Sequence, residues 1–150
     1  MYYIVYGILW LISLLPLRVL YVLSDCFYGL AFYVFKYRRD VVMNNLLIAF
    51  PEKTGKERKQ IAKKFYHNLI DTFIETIKIV SASKKFMRKR FTANWNVVND
   101  LKLKGKSVQL HMGHNFNWEL GTVASPPNIH FLYVGVYMPI KNKIVDKLFY

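Results

Sequence analysis

At 150 residues and a formal charge of +13, the chain has the length of one domain and a balance that points to an anionic partner. Its single cysteine, Cys26, excludes an internal disulfide, so nothing in the composition indicates an oxidising compartment. The charge is uneven: residues 1–35 carry only Arg18 and Asp25, so the whole +13 falls on residues 36–150. An uncharged apolar end joined to a basic body suggests a partner that is anionic and close to a membrane.

The chain opens on "MYYIVYGILWLISLLPL", without charge, basic n-region or small-residue cleavage site, which does not read as a signal peptide. A second apolar run, "VLYVLSDCFYGLAFYVF", is broken only by Asp25 and followed by the basic "KYRRD". Each run is near the lower limit of about 17 residues for a span, and Tyr2, Tyr3, Tyr6 and Trp10 suit a membrane–water interface. Residues 1–35 are therefore expected to form a membrane anchor, either one tilted span or a helical hairpin turning near Pro16. A buried helical hairpin in a soluble domain is the competing reading. Residues 36–150 form the body.

Pro51 ends the next segment, and Thr54-Gly-Lys-Glu57 fits the capping-box pattern. Ile61, Phe65, Leu69, Phe73 and Ile77 then recur every four residues, flanked by Ala62, Tyr66, Ile70 and Ile74, which predicts a long amphipathic helix over about 56–81. His67, Asp71 and Glu75 share its other face, where the spacing predicts a solvated row. "SASKKFMRKRF" reads as a basic connector, a solvated turn or a contact for anionic lipid or an acidic protein. "ANWNVV" suits a short strand and "NDLKLKGK" a short helix ending at Gly105.

"SVQLHM" (107–112) alternates as a strand does, "NWELGTVAS" reads as a helix stopped by Pro126-Pro127, and "IHFLYVGVYM" (129–138) suits a buried strand. "NKIVDKLFY" opens a further helix. Strand, helix, strand, helix is the order of an α/β unit with a parallel pair and a right-handed crossover.

Between the first of these strands and its helix lies "LHMGHNFNWEL" (110–120), with two histidines, two asparagines and a carboxylate. His114 and Glu119 stand five apart, which on a continuous helix would separate them by about 140°. They can meet only if His114 is in the loop and the helix begins between them. Asn115 or Asn117 would then be the N-cap, and Glu119 would fall in the first turn, where a carboxylate suits the helix dipole. A carboxylate holding one imidazole nitrogen while the other faces a hydroxyl is the arrangement of general-base catalysis. His111 and His114 also form an H-x-x-H pair, but no third ligand stands at a plausible spacing, so no metal is implied. No RNA-recognition or helix-turn-helix signature accompanies the basic patches, so no nucleic-acid partner is implied either.

"GHNFNWE" (113–119) resembles the His-x4-Asp/Glu motif of the late lipid A biosynthesis acyltransferases, the lauroyl/myristoyl transferases. "RRDVVMNNLLIAFPEKTGKER" (38–58) looks like that family's Arg…Asn-Leu…Phe-Pro-Glu segment, and "YMPIKNKIVDKLFY" (137–150) is similar to its stretch before the next motif. The chain looks like the N-terminal half of such a protein. The resemblance implies a partial glycerolipid-acyltransferase-like α/β domain behind a membrane anchor, at the cytoplasmic face of a bacterial inner membrane. It implies transfer of a fatty acyl chain from acyl carrier protein to a hydroxyl of an anionic lipid A precursor, without a cofactor. His114 would be the base and Glu119 its partner, while Asn117 and Trp118 would shape the substrate site. The competing readings are another glycerolipid or glycolipid acyltransferase of the same motif type, or a catalytically silent, membrane-peripheral relative.

Overall fold

The computed structural model describes residues 2–111, 113, 117–136, 138, 141 and 146. The described residues form helices and connecting loops, with no strand among them. They divide into two units: Leu15–Glu75, and Met1–Leu14 together with Thr76–Tyr150.

The unit Leu15–Glu75 is built of helices joined by short turns. Pro16 starts helix α2 (Leu17–Gly29) after α1 (Tyr2–Leu14) has ended, and its carbonyl accepts from the amides of Val19 and Leu20 at 3.0 and 3.1 Å. Proline has no amide to lose at a helix start, so the chain restarts there without an orphaned donor. The helix tightness changes over Leu30–Val34, a π-helical turn. Lys36 and Arg38 then adopt positive φ (48° and 50°) to turn the chain into α3 (Arg39–Ala49). The long helix α4 runs Gly55–Ile79, and its capping box is formed: the Thr54 amide donates to Glu57 Oε2 at 2.8 Å and the Glu57 amide to Thr54 Oγ1 at 3.3 Å.

The core of this unit is Phe32, Ala62 and Tyr66, with Tyr28, Ala31, Val42, Met43 and Leu46 packed against it. The Phe32 and Tyr66 rings meet edge to face at 5.3 Å, and the Arg39 guanidinium lies over the Phe32 ring at 5.6 Å. Tyr66 donates its hydroxyl to the Tyr37 carbonyl, and burial pushes its phenol above the usual range against the pull of Arg39 and Arg38. On α4 the flanking positions Ala62, Tyr66 and Ile74 are the buried ones, whereas Phe65 and Phe73 of the expected stripe are exposed.

The face of α4 expected to be solvated is instead where α2 attaches. His67 Nε2 meets Asp25 Oδ1 at 2.8 Å and His67 Nδ1 meets Asp71 Oδ2 at 3.0 Å. Ser24 donates to Asp71 Oδ1 at 2.5 Å, and Tyr21 donates to Glu75. The residues that interrupt the apolar run of α2 are thus the ones that find partners, because polar groups at a helix contact must be satisfied across it.

In the other unit, the Ser13 carbonyl of α1 accepts from Lys78 Nζ at 2.7 Å and from Ser81 Oγ at 2.8 Å. Helices α5 (Lys84–Arg90), α6 (Trp95–Leu103) and α7 (Trp118–Ala124) follow, the last running into a 3-10 turn over Pro126–Asn128. The basic connector is therefore a short helix, capped by Ser83, whose hydroxyl accepts from the Phe86 amide at 3.1 Å. "ANWNVV" is the start of α6 and not a strand. That helix ends in a Schellman turn: Lys106 N donates to Leu101 O at 3.0 Å and Gly105 N to Lys102 O at 2.9 Å, with Gly105 at φ +65°.

The two longer strand expectations also differ from what is found. The described parts of 107–112 and 129–138 carry bends or no regular structure and join no ladder, and Leu132, Val134 and Val136 are 92%, 75% and 98% exposed. Alternation and apolarity report which residues suit a sheet; a strand exists only where a neighbour completes its hydrogen bonds. The helical part of the expected architecture is present and an α/β sheet is not shown. The terminal helix expected from "NKIVDKLFY" falls largely outside the described residues.

Candidate active site

Asn117 is the N-cap of α7, its Oδ1 accepting from the Leu120 amide at 3.1 Å. The helix thus begins between positions 114 and 119, as the five-residue spacing requires. Glu119 lies in the first turn, where the free amides and the helix dipole favour a carboxylate. His114 itself lies outside the described residues.

The Glu119 carboxylate has an unusual environment. Its Oε2 is fully buried and has no hydrogen-bond partner among the described residues. A buried oxygen left unpaired costs on the order of 1–3 kcal/mol, more when charged, so folded proteins rarely keep one without a use.

The rest of α7 is firmly held. Thr122 Oγ1 donates to the Trp118 carbonyl at 3.2 Å, and Ser125 Oγ donates to the Gly121 carbonyl at 2.6 Å. Asn128 Nδ2 then donates to the Ala124 carbonyl at 2.8 Å. Asn99 on α6 clamps the following segment, donating to Asn128 O at 3.1 Å and accepting from His130 N at 2.9 Å, while Lys102 donates to His130 O. Helix and following loop are fixed by backbone-directed bonds, and among the described residues Glu119 Oε2 is a buried side-chain oxygen left without a partner. Trp118 is the first residue of α7, next to Glu119 in the chain. His111, upstream, is exposed.

The sequence singled out Asn117, Trp118 and Glu119, and these three stand together at the start of α7. It did not single out Asp25, Ser24 and Tyr21 as partners of the α4 row. The signal was there: a lone acid in an apolar run, and three polar residues at i, i+4 and i+8.

Over residues 1–150 the chain belongs to the bacterial lipid A biosynthesis acyltransferase family. It is 29% identical over 148 residues to the lipid A biosynthesis lauroyltransferase of Escherichia coli (strain K12), an alignment covering 95% of this chain and 46% of that protein. The chain thus spans about half the length of that curated relative. No solved structure matches it.

Proposed function

We propose that this chain belongs to an acyltransferase that moves a fatty acyl group from acyl carrier protein to a hydroxyl of an anionic lipid A precursor, at the cytoplasmic face of a bacterial inner membrane. The observation that carries this reading is the buried, unpaired Glu119 Oε2 in the first turn of a helix capped by Asn117, within the run that resembles the family motif. A carboxylate so held is available for an imidazole supplied by His114.

In that role Glu119 accepts from one ring nitrogen of His114 and fixes its tautomer. The other nitrogen takes the proton from the acceptor hydroxyl as its oxygen attacks the thioester carbonyl carbon. The tetrahedral intermediate then collapses: the carbon–sulfur bond breaks, and the departing thiolate takes the proton from the imidazolium. An ester and a free carrier thiol result, so atoms and charge balance without a cofactor. Asn117 and Trp118 would shape the substrate side of this site. The charge on residues 36–150 attracts both the acidic carrier protein and an anionic lipid. Segments 107–112 and 129–138 would be strands of an α/β domain, with neighbouring strands supplied elsewhere in a full-length family member.

The test is transfer of labelled acyl groups from acyl carrier protein to an under-acylated lipid A precursor, in membranes containing the protein. We expect label in the disaccharide lipid and a fall of about 10²–10⁴-fold with His114→Ala, at unchanged membrane content. Undiminished turnover by His114→Ala would refute the dyad. Label entering a glycerolipid instead would move the substrate class to another acceptor of the same motif type.

A further inference from the structure

Helix 17–34 is the segment among the described residues long and apolar enough to cross a membrane, with 18 residues and a mean hydropathy of 1.4. Its partners argue against crossing. Tyr21, Ser24, Asp25, Tyr28 and Phe32 lie on one side of it, because steps of three and four residues return to the same face. That side is fixed to α4 in antiparallel order: Tyr21 to Glu75, Ser24 to Asp71, Asp25 to His67, the Tyr28 ring on the His67 ring at 5.3 Å, and the Phe32 ring on Tyr66. Helix α4 also carries Lys59, Lys63, Lys64 and Asn68, so it cannot follow its partner into hydrocarbon. Asp25, midway along the apolar helix, keeps 63% of its side chain exposed even while paired.

The opposite side is apolar and uncovered. Val19, Val22, Phe27, Leu30 and Val34 are all exposed, and Cys26 lies among them. The stretch is bracketed by cations, Arg18 before it and Lys36 and Arg38 after it, all exposed, with exposed Tyr33 and Tyr37 at the same end. An apolar face bounded by basic residues and interfacial aromatics fits the headgroup–acyl boundary of an anionic membrane.

We infer that helix 17–34 lies in the plane of the membrane surface as an interfacial helix, with its Val19–Val22–Phe27–Leu30 side in an anionic lipid leaflet and its Tyr21–Ser24–Asp25–Tyr28 side held on α4. This rests on the membrane association proposed above and changes its geometry from spanning to lying on one leaflet. The contacts of α2 with α4 then persist on the membrane, and Asp25 stays on the wet side.

Cys26 supplies the test, being the single thiol among these 150 residues and exposed. The protein is labelled there with a nitroxide and mixed with vesicles of phosphatidylcholine and phosphatidylglycerol. Flotation reads membrane association, and power saturation with oxygen against a polar nickel complex reads label depth. We expect flotation with the label about 5–10 Å below the headgroup boundary. Phe27→Glu should weaken vesicle partitioning on the order of tenfold or more, with the helical circular dichroism kept. Flotation with the label near the midplane, about 15 Å from either side, leaves membrane association standing and overturns the interfacial geometry. A label shielded from both relaxants in a particle of doubled mass would assign the face to a second copy and overturn it too. Absence of flotation would remove the membrane reading itself, and this inference with it.

Discussion

The two units of the chain treat their polar groups in opposite ways. In Leu15–Glu75, Asp25, His67, Asp71 and Ser24 form one continuous chain of bonds between α2 and α4, and Tyr66 reaches a backbone carbonyl from the core. In the unit that holds α7, Asn117, Ser125, Asn128 and Asn99 all serve backbone groups, yet Glu119 Oε2 is buried with no partner among the described residues. A satisfied network stabilises and fixes a scaffold, whereas a buried oxygen without a partner opposes folding. The difference sets a unit whose polar groups are paired beside one that holds the unpaired oxygen on which the proposed chemistry rests.

Substitutions at four positions break or sharpen that contrast. The largest effect is expected at Glu119. Glu119→Gln should lower acyl transfer by about 10²–10⁴-fold, while the melting temperature stays about the same, because Oε2 has no partner among the described residues to lose. A loss of stability matching the loss of turnover would make Glu119 structural and erase the contrast. Phe32→Ala should do the reverse. It empties the centre of the Phe32–Ala62–Tyr66 core, and a cost of about 3–5 kcal/mol in chemical denaturation is expected.

Asn117 tests both sides at once. Asn117→Ala removes the cap of α7 and should cost about 1 kcal/mol, whereas Asn117→Asp keeps an acceptor for the Leu120 amide. If Asn117→Asp restores stability but not transfer, Asn117 also meets substrate; if it restores both, its role is the cap.

The smallest effect is at Glu57. The Thr54 amide and hydroxyl hold its carboxyl below the usual range. A folded-state value depressed below the unfolded one contributes stability at pH above about 4 and loses it as pH falls through the depressed value. Glu57→Gln should therefore lower the denaturation midpoint slightly near neutrality and leave it unchanged in strong acid.

Much of this was legible in the sequence, where local rules suffice. The capping box at Thr54–Glu57, the long helix after it, the helix stop before Pro126-Pro127 and a cap at Asn115 or Asn117, found at Asn117, are all decided within a few residues of chain. The family motif was legible because residue identities carry it. The expected strand at "ANWNVV" failed because six residues do not distinguish a strand from the first turn of a helix, and the Schellman turn at Gly105 shows that the helix claims them.

What the sequence by itself determined is where α4 and α7 start and stop, which residues could do chemistry, and how unevenly charge is spread, since each depends on side chains close together in the chain. Only the tertiary structure decided that Asp25 and the His67–Asp71–Glu75 row belong together, that Phe65 and Phe73 are left outside, and that Glu119 Oε2 is buried without a partner among the described residues. Those facts depend on residues more than forty apart, or on what surrounds a single atom. No local periodicity reports either, because pairing across space is set by which faces the packed helices bring together.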